Sequence, residues 1–367
     1  MPTLNIYRPP RIHPLRGPWQ DVFAVLHNLC DGDHQAVEFV LDWLARIVQG
    51  LWRDRRPFGR PVLNGSMLVF HGIEGSGKDT LRRIMSPILG EENVALMGQG
   101  DLESKYHAQF DGTLMLFCDE VVSSSNRSKQ TENFIKKLIN EKIPIEEKHE
   151  SARLVINTMN VVFTSNDDVP VTISRTDRRF SVFRSNRKLP PDVTERIYDD
   201  LAGPKLQVAA FLDHLLCRRV KIQFGQLFET QAKEDIKRDS APSDEKFAHA
   251  ILEEGWWAVS APWVEDKERD PVWSANDGND YVIGDICREV YRDYCMRVGL
   301  RAVGDKKLTR TLKKMIPALA VKPMNIGQIK RRVYTGMPMH SPGAEVQAPR
   351  PRGVGADKEF DYEIVWD

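Results

Sequence analysis

One ten-residue stretch, HGIEGSGKDT at positions 71–80, constrains this chain more than any other. It places Gly72 and Gly77 five positions apart, and Lys78 follows the second glycine directly. A glycine-rich turn of this spacing exposes successive backbone N–H groups, which bind phosphate oxygens together with the positive end of a following helix. The stretch therefore predicts a phosphate-binding loop with a strand before it and a helix after it.

The residue after the lysine departs from the usual pattern. That position is normally Ser or Thr, whose hydroxyl contacts a magnesium ion, but here it is Asp79, and Thr80 comes one place late. Either Thr80 carries the metal hydroxyl and Asp79 faces solvent, or Asp79 meets the metal directly or through water. The residues expected to bind ATP are Gly72, Gly75, Ser76, Gly77, Lys78, Asp79 and Thr80.

Apolar strand segments surround the loop. MLVF (67–70) precedes it, and TLMLFC (113–118) and MNVVFTSN (159–166) follow, with the helical pattern TLRRIMSPIL beginning on the loop itself. Continuous apolar strands of this kind are typical of parallel sheets that are buried on both faces. The alternation of strands and helices predicts an α/β fold with a P-loop ATPase core.

Two carboxylates end the second apolar strand. Asp119 is expected to hold Mg²⁺ together with Thr80, and Glu120 is expected to polarise the attacking water. An acidic pair that follows a phosphate loop by roughly 40 residues favours ATP hydrolysis over a simple solvated turn.

Three further polar residues are candidates for the same reaction. Asn166 ends the third strand, where its amide would orient the water near the γ-phosphate. Arg178 and Arg179, in the segment RTDRRF, would reach the γ-phosphate of a neighbouring subunit as an arginine finger. The alternative for this segment is a surface ion pair with Asp177.

In this order the motifs resemble those of superfamily 3 helicases, and most nearly the D5-like helicase part of phage and plasmid primase–helicases. The resemblance covers roughly residues 20–185, and the segments that carry it are GIEGSGKDT, LFCDE, FIKKLINEKIPIEEKHE, FTSN and TDRRF. It implies an AAA+-like core that uses ATP and Mg²⁺, and a homo-oligomeric ring, a hexamer, around single-stranded DNA. Lys148 and His149, in the predicted hairpin IPIEEKHESARLVI, would then contact DNA in the channel. Only about 60 residues precede the core, so priming is not expected from this polypeptide.

Charge is distributed unevenly in a chain with a formal net charge of +0. Residues 226–280 carry 14 acids against 6 bases, whereas residues 287–332 carry 13 Lys and Arg against 3 acids. The basic segment reads as two helices and a strand pair, which predicts a winged-helix-like module that binds duplex DNA. Its expected contacts are Lys307, Arg310 and Lys314 on one helical face, and Arg331 in the wing strand.

The remaining features bound the cellular context and the organisation. Five cysteines without CxxC spacing, no apolar leader and no long apolar run predict a protein of the cytoplasm, that of a bacterial host if phage-encoded. The expected domains are an arm and helical pair (1–60), the P-loop ATPase core (61–188), a helical segment with an acidic connector (189–282), the basic module (283–335), and a linker and tail (336–367).

The sequence thus predicts an ATP-dependent replicative DNA helicase of a phage or mobile genetic element. Two alternatives stay open. One is a replication initiator or loader ATPase that binds DNA without processive unwinding. The other is a nucleoside monophosphate kinase, whose loops share the GKDT pattern in which the hydroxyl residue comes second after the lysine.

Overall fold

The chain divides into two compact units, Met1–Ala241 and Pro242–Asp367. A computed structural model describes residues 10–52, 61–98, 101, 110–120, 135–145, 153–171, 173–174, 176–267, 272–274, 280–326 and 329–340. No helix among these residues is long and apolar enough to cross a membrane.

The first unit begins with two helices and continues as a mixed α/β domain. Its helices are α1 (Gln20–Leu29), α2 (His34–Leu51), α3 (Lys78–Leu89), α4 (Pro191–Ala202), α5 (Leu206–Cys217) and α6 (Gln231–Asp239). Its strands are β1 (Met67–Gly72), β2 (Val94–Met97), β3 (Met115–Asp119), β4 (Lys142–Ile145), β5 (Arg153–Ile156), β6 (Asn160–Ser165) and β7 (Phe180–Ser185).

Five of these strands form one parallel sheet in the order β2-β3-β6-β1-β7. The predicted parallel sheet is therefore confirmed. Strand β1 lies between β6 and β7: Leu68 pairs with Val162 of β6, and Val69 pairs with Val182 of β7. Because all five strands run the same way, their carboxyl ends meet at one edge, which is where ligands bind in open sheets of this kind.

Both faces of the sheet are covered, as its continuous apolar strands require. Leu68 and Phe70 of β1 pack into a core with the helices α1 to α5. Met67 and Val69 point the other way, into a second core that includes Ile143 of β4 and Ile236 of α6. Side chains alternate along a strand, so one short strand anchors both layers.

The N-terminal helical pair belongs to this same unit rather than to a separate domain. Helix α2 starts at Asp33, whose carboxylate accepts hydrogen bonds from the backbone N–H groups of Gln35 (2.8 Å) and Ala36 (3.2 Å). Val25 and Trp43 are fully buried in the core that also holds Leu68. The structure therefore groups the expected segments 1–60 and 61–188 with helices α4 to α6.

Strands β4 and β5 form the expected antiparallel hairpin, in which Ile143 pairs with Val155. Its tip, with Lys148 and His149, lies outside the residues that the structure describes.

The second unit contains helices α7 (Ser243–Glu254), α8 (Trp256–Lys267), α9 (Gly284–Arg297) and α10 (Asp305–Met315). Strands β8 (Trp273–Ser274), β9 (Asp280–Ile283), β10 (Ala320–Ile326) and β11 (Ile329–Thr335) form an antiparallel sheet in the order β10-β11-β9-β8. The two helices and the strand pair expected at residues 283–335 are present.

This unit begins about 40 residues before the expected basic module. Trp256 and Trp263, assigned to an acidic connector, are buried in one core with Val290 and Leu308. Burying two tryptophan side chains is strongly favourable, so α7 and α8 pack as part of the unit instead of forming a spacer. Because the segment is acidic, its two tryptophans were not recognised from the sequence as part of an apolar core.

Candidate functional site

Residues 72–77 leave the end of β1 and turn sharply into α3, which begins at Lys78. Gly72 has φ +122 and Gly77, the residue that precedes α3, has φ +102, in the left-handed region that favours glycine. A Cβ atom at Gly72 would lie 2.1 Å from the carbonyl oxygen of Ser185, so no other residue fits there. The strand, glycine-rich turn and helix expected from the sequence thus follow one another.

Lys78 lies inside this turn. Its Nζ donates hydrogen bonds to the carbonyl oxygens of Gly72 (3.0 Å) and Ile73 (2.8 Å) and to Oγ of Ser76 (3.2 Å). Burial lowers the pKa of Lys78, and the carboxylates of Asp119 and Glu74 oppose that shift without cancelling it. The loop therefore holds one partly buried ammonium group within electrostatic reach of Asp119.

The two residues after the lysine have different surroundings. Both carboxylate oxygens of Asp79 are engaged on the surface of α3, where Oδ1 accepts from Nε of Arg82 (2.9 Å) and Oδ2 from Nε of Arg83 (2.6 Å). Burial raises the pKa of Asp79, but hydrogen bonds from Arg83 and Arg82 outweigh it and hold the pKa below its ordinary value. Thr80, by contrast, is buried.

Asp119, Glu120 and Asn166 meet at the carboxyl edge of the sheet. Oδ1 of Asp119 accepts a 2.6 Å hydrogen bond from the hydroxyl of Thr164 on the neighbouring strand β6. Glu120 takes a positive φ of +48, and its backbone N–H donates to the carbonyl oxygen of Thr164 (2.9 Å). Its Oε1 accepts a long hydrogen bond, 3.5 Å, from the amide of Asn166.

Glu120 is a non-glycine residue in a region that costs free energy for side chains with a Cβ atom. The chain therefore turns away at Glu120 instead of continuing β3, and the carboxylate of Glu120 is exposed at this turn. Thr164 is the residue of this cluster that the sequence did not single out, although it belongs to the FTSN motif. Only the strand pairing shows that it bridges Asp119 and Glu120.

Arg178 and Arg179 differ although they are adjacent. Arg179 donates from Nε to Asp177 (3.0 Å), and the buried Asp177 carboxylate also accepts from the backbone N–H groups of Arg179 (2.8 Å) and Phe180 (3.3 Å). Arg178 is exposed. The ion pair considered for this segment is thus made by Arg179, and Arg178 is the side chain that is open to a neighbour.

The phosphate loop is supported by residues that no motif marks. The amide of Asn28, in α1, donates to the carbonyl oxygens of Ser76 (2.9 Å) and Arg187 (3.0 Å). Ser185 donates from its hydroxyl to the carbonyl oxygen of Asn28 (2.8 Å), and the backbone N–H of Leu189 donates to Gly75 (2.9 Å). These contacts join positions 48 to 159 residues apart, so sequence reasoning missed them.

The four residues expected to bind duplex DNA lie on two elements of the second unit: Lys307, Arg310 and Lys314 on α10, and Arg331 on β11. Lys307 lies 3.3 Å from Oδ1 of the buried Asp244, and Arg331 lies 3.6 Å from Asp285. Arg310 and Lys314 are exposed on α10. Two of the four therefore have carboxylate partners on other elements of the unit.

No group of three or more His, Cys, Asp or Glu residues that could hold a metal ion occurs within the described parts of the chain.

Comparison with known proteins gives independent information. Residues 70–179 match a family of unknown function, DUF5906. Over 350 residues the chain is 22% identical to a DNA primase-polymerase of Nitratiruptor phage NrS-1, and the alignment covers 92% of this chain and 46% of the phage protein. The chain thus spans about half the length of the curated relative that it matches.

Solved structures show a shared fold. The apo structure of the NrS-1 C-terminal region matches with a TM-score of 0.65 at 17% identity, covering 89% of this chain and 77% of that one. A second apo form of that region gives a TM-score of 0.62 at 18% identity. The chain is therefore related in sequence to a phage primase-polymerase and in fold to that protein's C-terminal region.

Proposed function

We propose that this chain is an ATP-dependent DNA helicase of the superfamily 3, D5-like type, used in the replication of a phage or mobile genetic element. The observation that carries the proposal is the meeting of the glycine-rich loop, Asp119, Glu120 and Asn166 at the carboxyl edge of one parallel sheet. Its relationship to a phage primase-polymerase supports the same setting.

The loop and Lys78 would bind the phosphates of ATP. Backbone N–H groups of residues 72–77 and the first turn of α3 supply partial positive charge, and Lys78 would exchange the loop oxygens that it now contacts for β- and γ-phosphate oxygens. This requires no movement of the helix, because the ammonium group already lies inside the turn.

Thr80 and Asp119 would hold Mg²⁺, which neutralises charge on the phosphate oxygens when it is bound with ATP. The residues fit this role, since Oδ1 of Asp119 is fixed by Thr164 while no described residue donates to Oδ2. Asp79 would not take part directly, because Arg82 and Arg83 occupy both of its oxygens.

Glu120 would act as the base that polarises the attacking water, and Asn166 would orient that water. Their mutual hydrogen bond places an amide next to the carboxylate at the strand ends. Arg178 would enter the site of the adjacent subunit in a hexameric ring and stabilise the charge that develops on the γ-phosphate. Arg179 would instead fix the backbone that carries Arg178, through its contacts with Asp177.

DNA would be contacted in two places. Lys148 and His149, in the segment between β4 and β5, would touch single-stranded DNA in the ring channel. The basic segment 287–332 of the second unit, with Arg310 and Lys314 exposed, would bind duplex DNA in the manner of a winged helix, while Lys307 and Arg331 would contribute further positive charge.

A strand-displacement assay on a forked duplex, combined with ATP hydrolysis with and without single-stranded DNA, tests the proposal. A helicase displaces the strand only with ATP, and its hydrolysis rises with DNA. Hydrolysis that DNA stimulates without displacement identifies an initiator or loader ATPase. Transfer of phosphate to a nucleoside monophosphate, with no response to DNA, overturns the proposal in favour of a kinase.

A further inference from the structure

The second unit contains a basic groove between helix α10 and the β10–β11 hairpin. It encloses about 540 Å³. Five of the side chains that line it are cationic and none is acidic; the polar lining consists of Thr309 and Lys313 of α10, Lys322 of β10, and Lys330, Arg331 and Arg332 of β11. We refer to it as the hairpin groove.

The walls of the hairpin groove are fixed to each other. The hydroxyl of Thr309 on α10 lies 2.9 Å from the hydroxyl of the buried Tyr334 on β11. Lys330, Arg332 and Tyr334 alternate along β11, so they share one face of the hairpin. The cations of β11 on that face are therefore held beside α10 by a buried tyrosine.

The charge of the groove is largely uncompensated. Among the residues that the structure describes, Lys313, Lys322, Lys330 and Arg332 form no ion pair. Arg331 alone has an acidic neighbour, Asp285, at 3.6 Å. Four like charges that line one groove repel each other, so the folded unit is stabilised by an anionic partner that spans them.

Helix α10 is pinned on its opposite flank. Asp244 of α7 is buried; its Oδ2 accepts a 2.6 Å hydrogen bond from the hydroxyl of Thr311, and its Oδ1 lies 3.3 Å from Nζ of Lys307. Lys307 therefore faces α7, and Thr309 and Lys313 face the hairpin. On α10, Lys307 therefore contacts α7, whereas Lys313 borders the groove.

The geometry points to the sugar-phosphate backbone of duplex DNA as the ligand of the hairpin groove. Lys330 and Arg332 are two residues apart on a strand, a step of about 6.7 Å, which matches about two nucleotide rises along the axis of a DNA duplex. Among the described residues no aromatic side chain lines the groove, so this part of the unit lacks the stacking platform on which unpaired bases bind. Contacts to phosphate carry no sequence information themselves, and they would set the register of α10 on the duplex.

This inference deepens the proposed function, because it relies on that function for the identity of the polyanion. It differs from the expected helical face, since Lys313, Lys322, Lys330 and Arg332 replace Lys307 as the principal contacts. A small anion would leave most of these cations unpaired, whereas a nucleic acid presents charges in a row.

The test measures duplex binding by the full chain without nucleotide, over a range of salt concentrations. The groove variant Lys313→Glu, Lys330→Glu, Arg332→Glu is compared with the control Lys267→Glu, Arg301→Glu, Lys306→Glu, which makes the same change in net charge at exposed cations that do not line the groove. We expect the groove variant to lose at least tenfold in affinity and to flatten the slope of log affinity against log salt by about 3, while the control changes the slope by less than about 1.

A larger loss in the control overturns the inference and assigns DNA to a surface outside the groove. Equal affinity of all three chains overturns it as well. A milder variant with Gln at the three groove positions, checked by circular dichroism, shows that the loss does not arise from unfolding. Tighter binding of polyglutamate than of duplex DNA would identify an acidic protein segment as the ligand instead.

Failure of the proposed function is distinguishable in the same experiments. If the parent chain binds duplex DNA through the groove but neither hydrolyses ATP nor displaces a strand, the helicase proposal fails and the groove stands. If the groove variant still unwinds a preloaded fork and hydrolyses ATP as the parent does, the groove acts in docking and not in catalysis.

Discussion

In the first unit, Lys78 of the glycine-rich loop, Arg82 of α3 and Arg179 before β7 are each held by oxygen atoms of that unit. In the hairpin groove, by contrast, four of the five cations have no carboxylate partner within the described residues. Held charges keep a fixed geometry and suit a site in which reacting groups must be preorganised. Unpaired charges suit a partner that arrives from outside and releases counterions as it binds. Arg178, which precedes β7 at the opposite end of the strands from the glycine-rich loop, is exposed, so we propose its side chain as the one that acts on a neighbouring subunit.

The largest effect is expected when the ammonium group of Lys78 is removed from the glycine-rich loop. Lys78→Met keeps the length of the side chain but loses its ammonium group, and ATP hydrolysis is expected to fall by about 10²- to 10³-fold or more. Duplex binding without nucleotide should not change, because that binding is assigned to the second unit. Both are measured on the same preparation, with the exposed hairpin-strand variant Lys142→Ala as a control; full hydrolysis by Lys78→Met would remove the phosphate-loop assignment.

The next effect separates ATP binding from hydrolysis at the sheet edge. Glu120→Gln keeps the shape and the contact with Asn166 but cannot polarise water as a carboxylate does, so hydrolysis should fall by about 10²-fold or more. Affinity for ATP, measured by calorimetry, should stay within about threefold. If ATP binding is lost together with hydrolysis, Glu120 is a metal ligand or a structural residue.

Substitutions of the adjacent Arg178 and Arg179 are expected to differ in their effects on stability and on ATP hydrolysis. Arg179→Ala leaves the buried Asp177 carboxylate without its cation, so the free energy of unfolding should fall by about 3 kcal/mol. Arg178→Ala should change stability by less than about 0.5 kcal/mol and should still reduce hydrolysis, because its side chain would act on a neighbour.

Urea unfolding measures the stability of both variants, and steady-state assays measure their rates of ATP hydrolysis. Partial recovery of hydrolysis when Arg178→Ala subunits are mixed with Lys78→Met subunits is expected for a site shared between subunits. Equal hydrolysis by Arg178→Ala and the parent chain would remove the arginine-finger assignment.

The smallest effect is a dependence of stability on pH in the first unit. His71 is buried next to the loop, and burial lowers its pKa to about 4 from 6.5, against a hydrogen-bonding contact with Asp167. Between these values the unfolded chain binds a proton that the folded chain does not, so stability falls as the pH drops. From pH 6.5 to 5 the loss should be about 2 kcal/mol.

The His71→Gln variant should lose most of this slope in urea unfolding, and the exposed variant His13→Gln should retain it. An unchanged slope in His71→Gln would show that the proton is taken up elsewhere.

Local chemistry made the loop, the parallel sheet and the β4–β5 hairpin predictable, because each depends on a short run of residues with a strong pattern. Gly72 and Gly77 specify their own backbone, and apolar strands specify burial on both faces. The contacts of Asn28 and Thr164 were not predictable, because they depend on which distant strands and helices become neighbours. The ion pair of Lys307 with Asp244 was not predictable for the same reason: helical spacing gives the face of α10 but does not show which residue of another helix lies beside it.

The hydrogen bonds that Asn28 and Leu189 make with the glycine-rich loop have a consequence for which segment of the chain can be transferred to another protein with that loop intact. The family match spans residues 70–179 and contains the loop, both acidic residues and the arginine pair, yet it lacks both of these supports. The smallest segment that contains the loop together with both supporting residues should therefore run from about α1 to the start of α4. Gene fusions and natural recombination that exchange only the matched region would transfer the loop without the hydrogen bonds from Asn28 and Leu189 that support it.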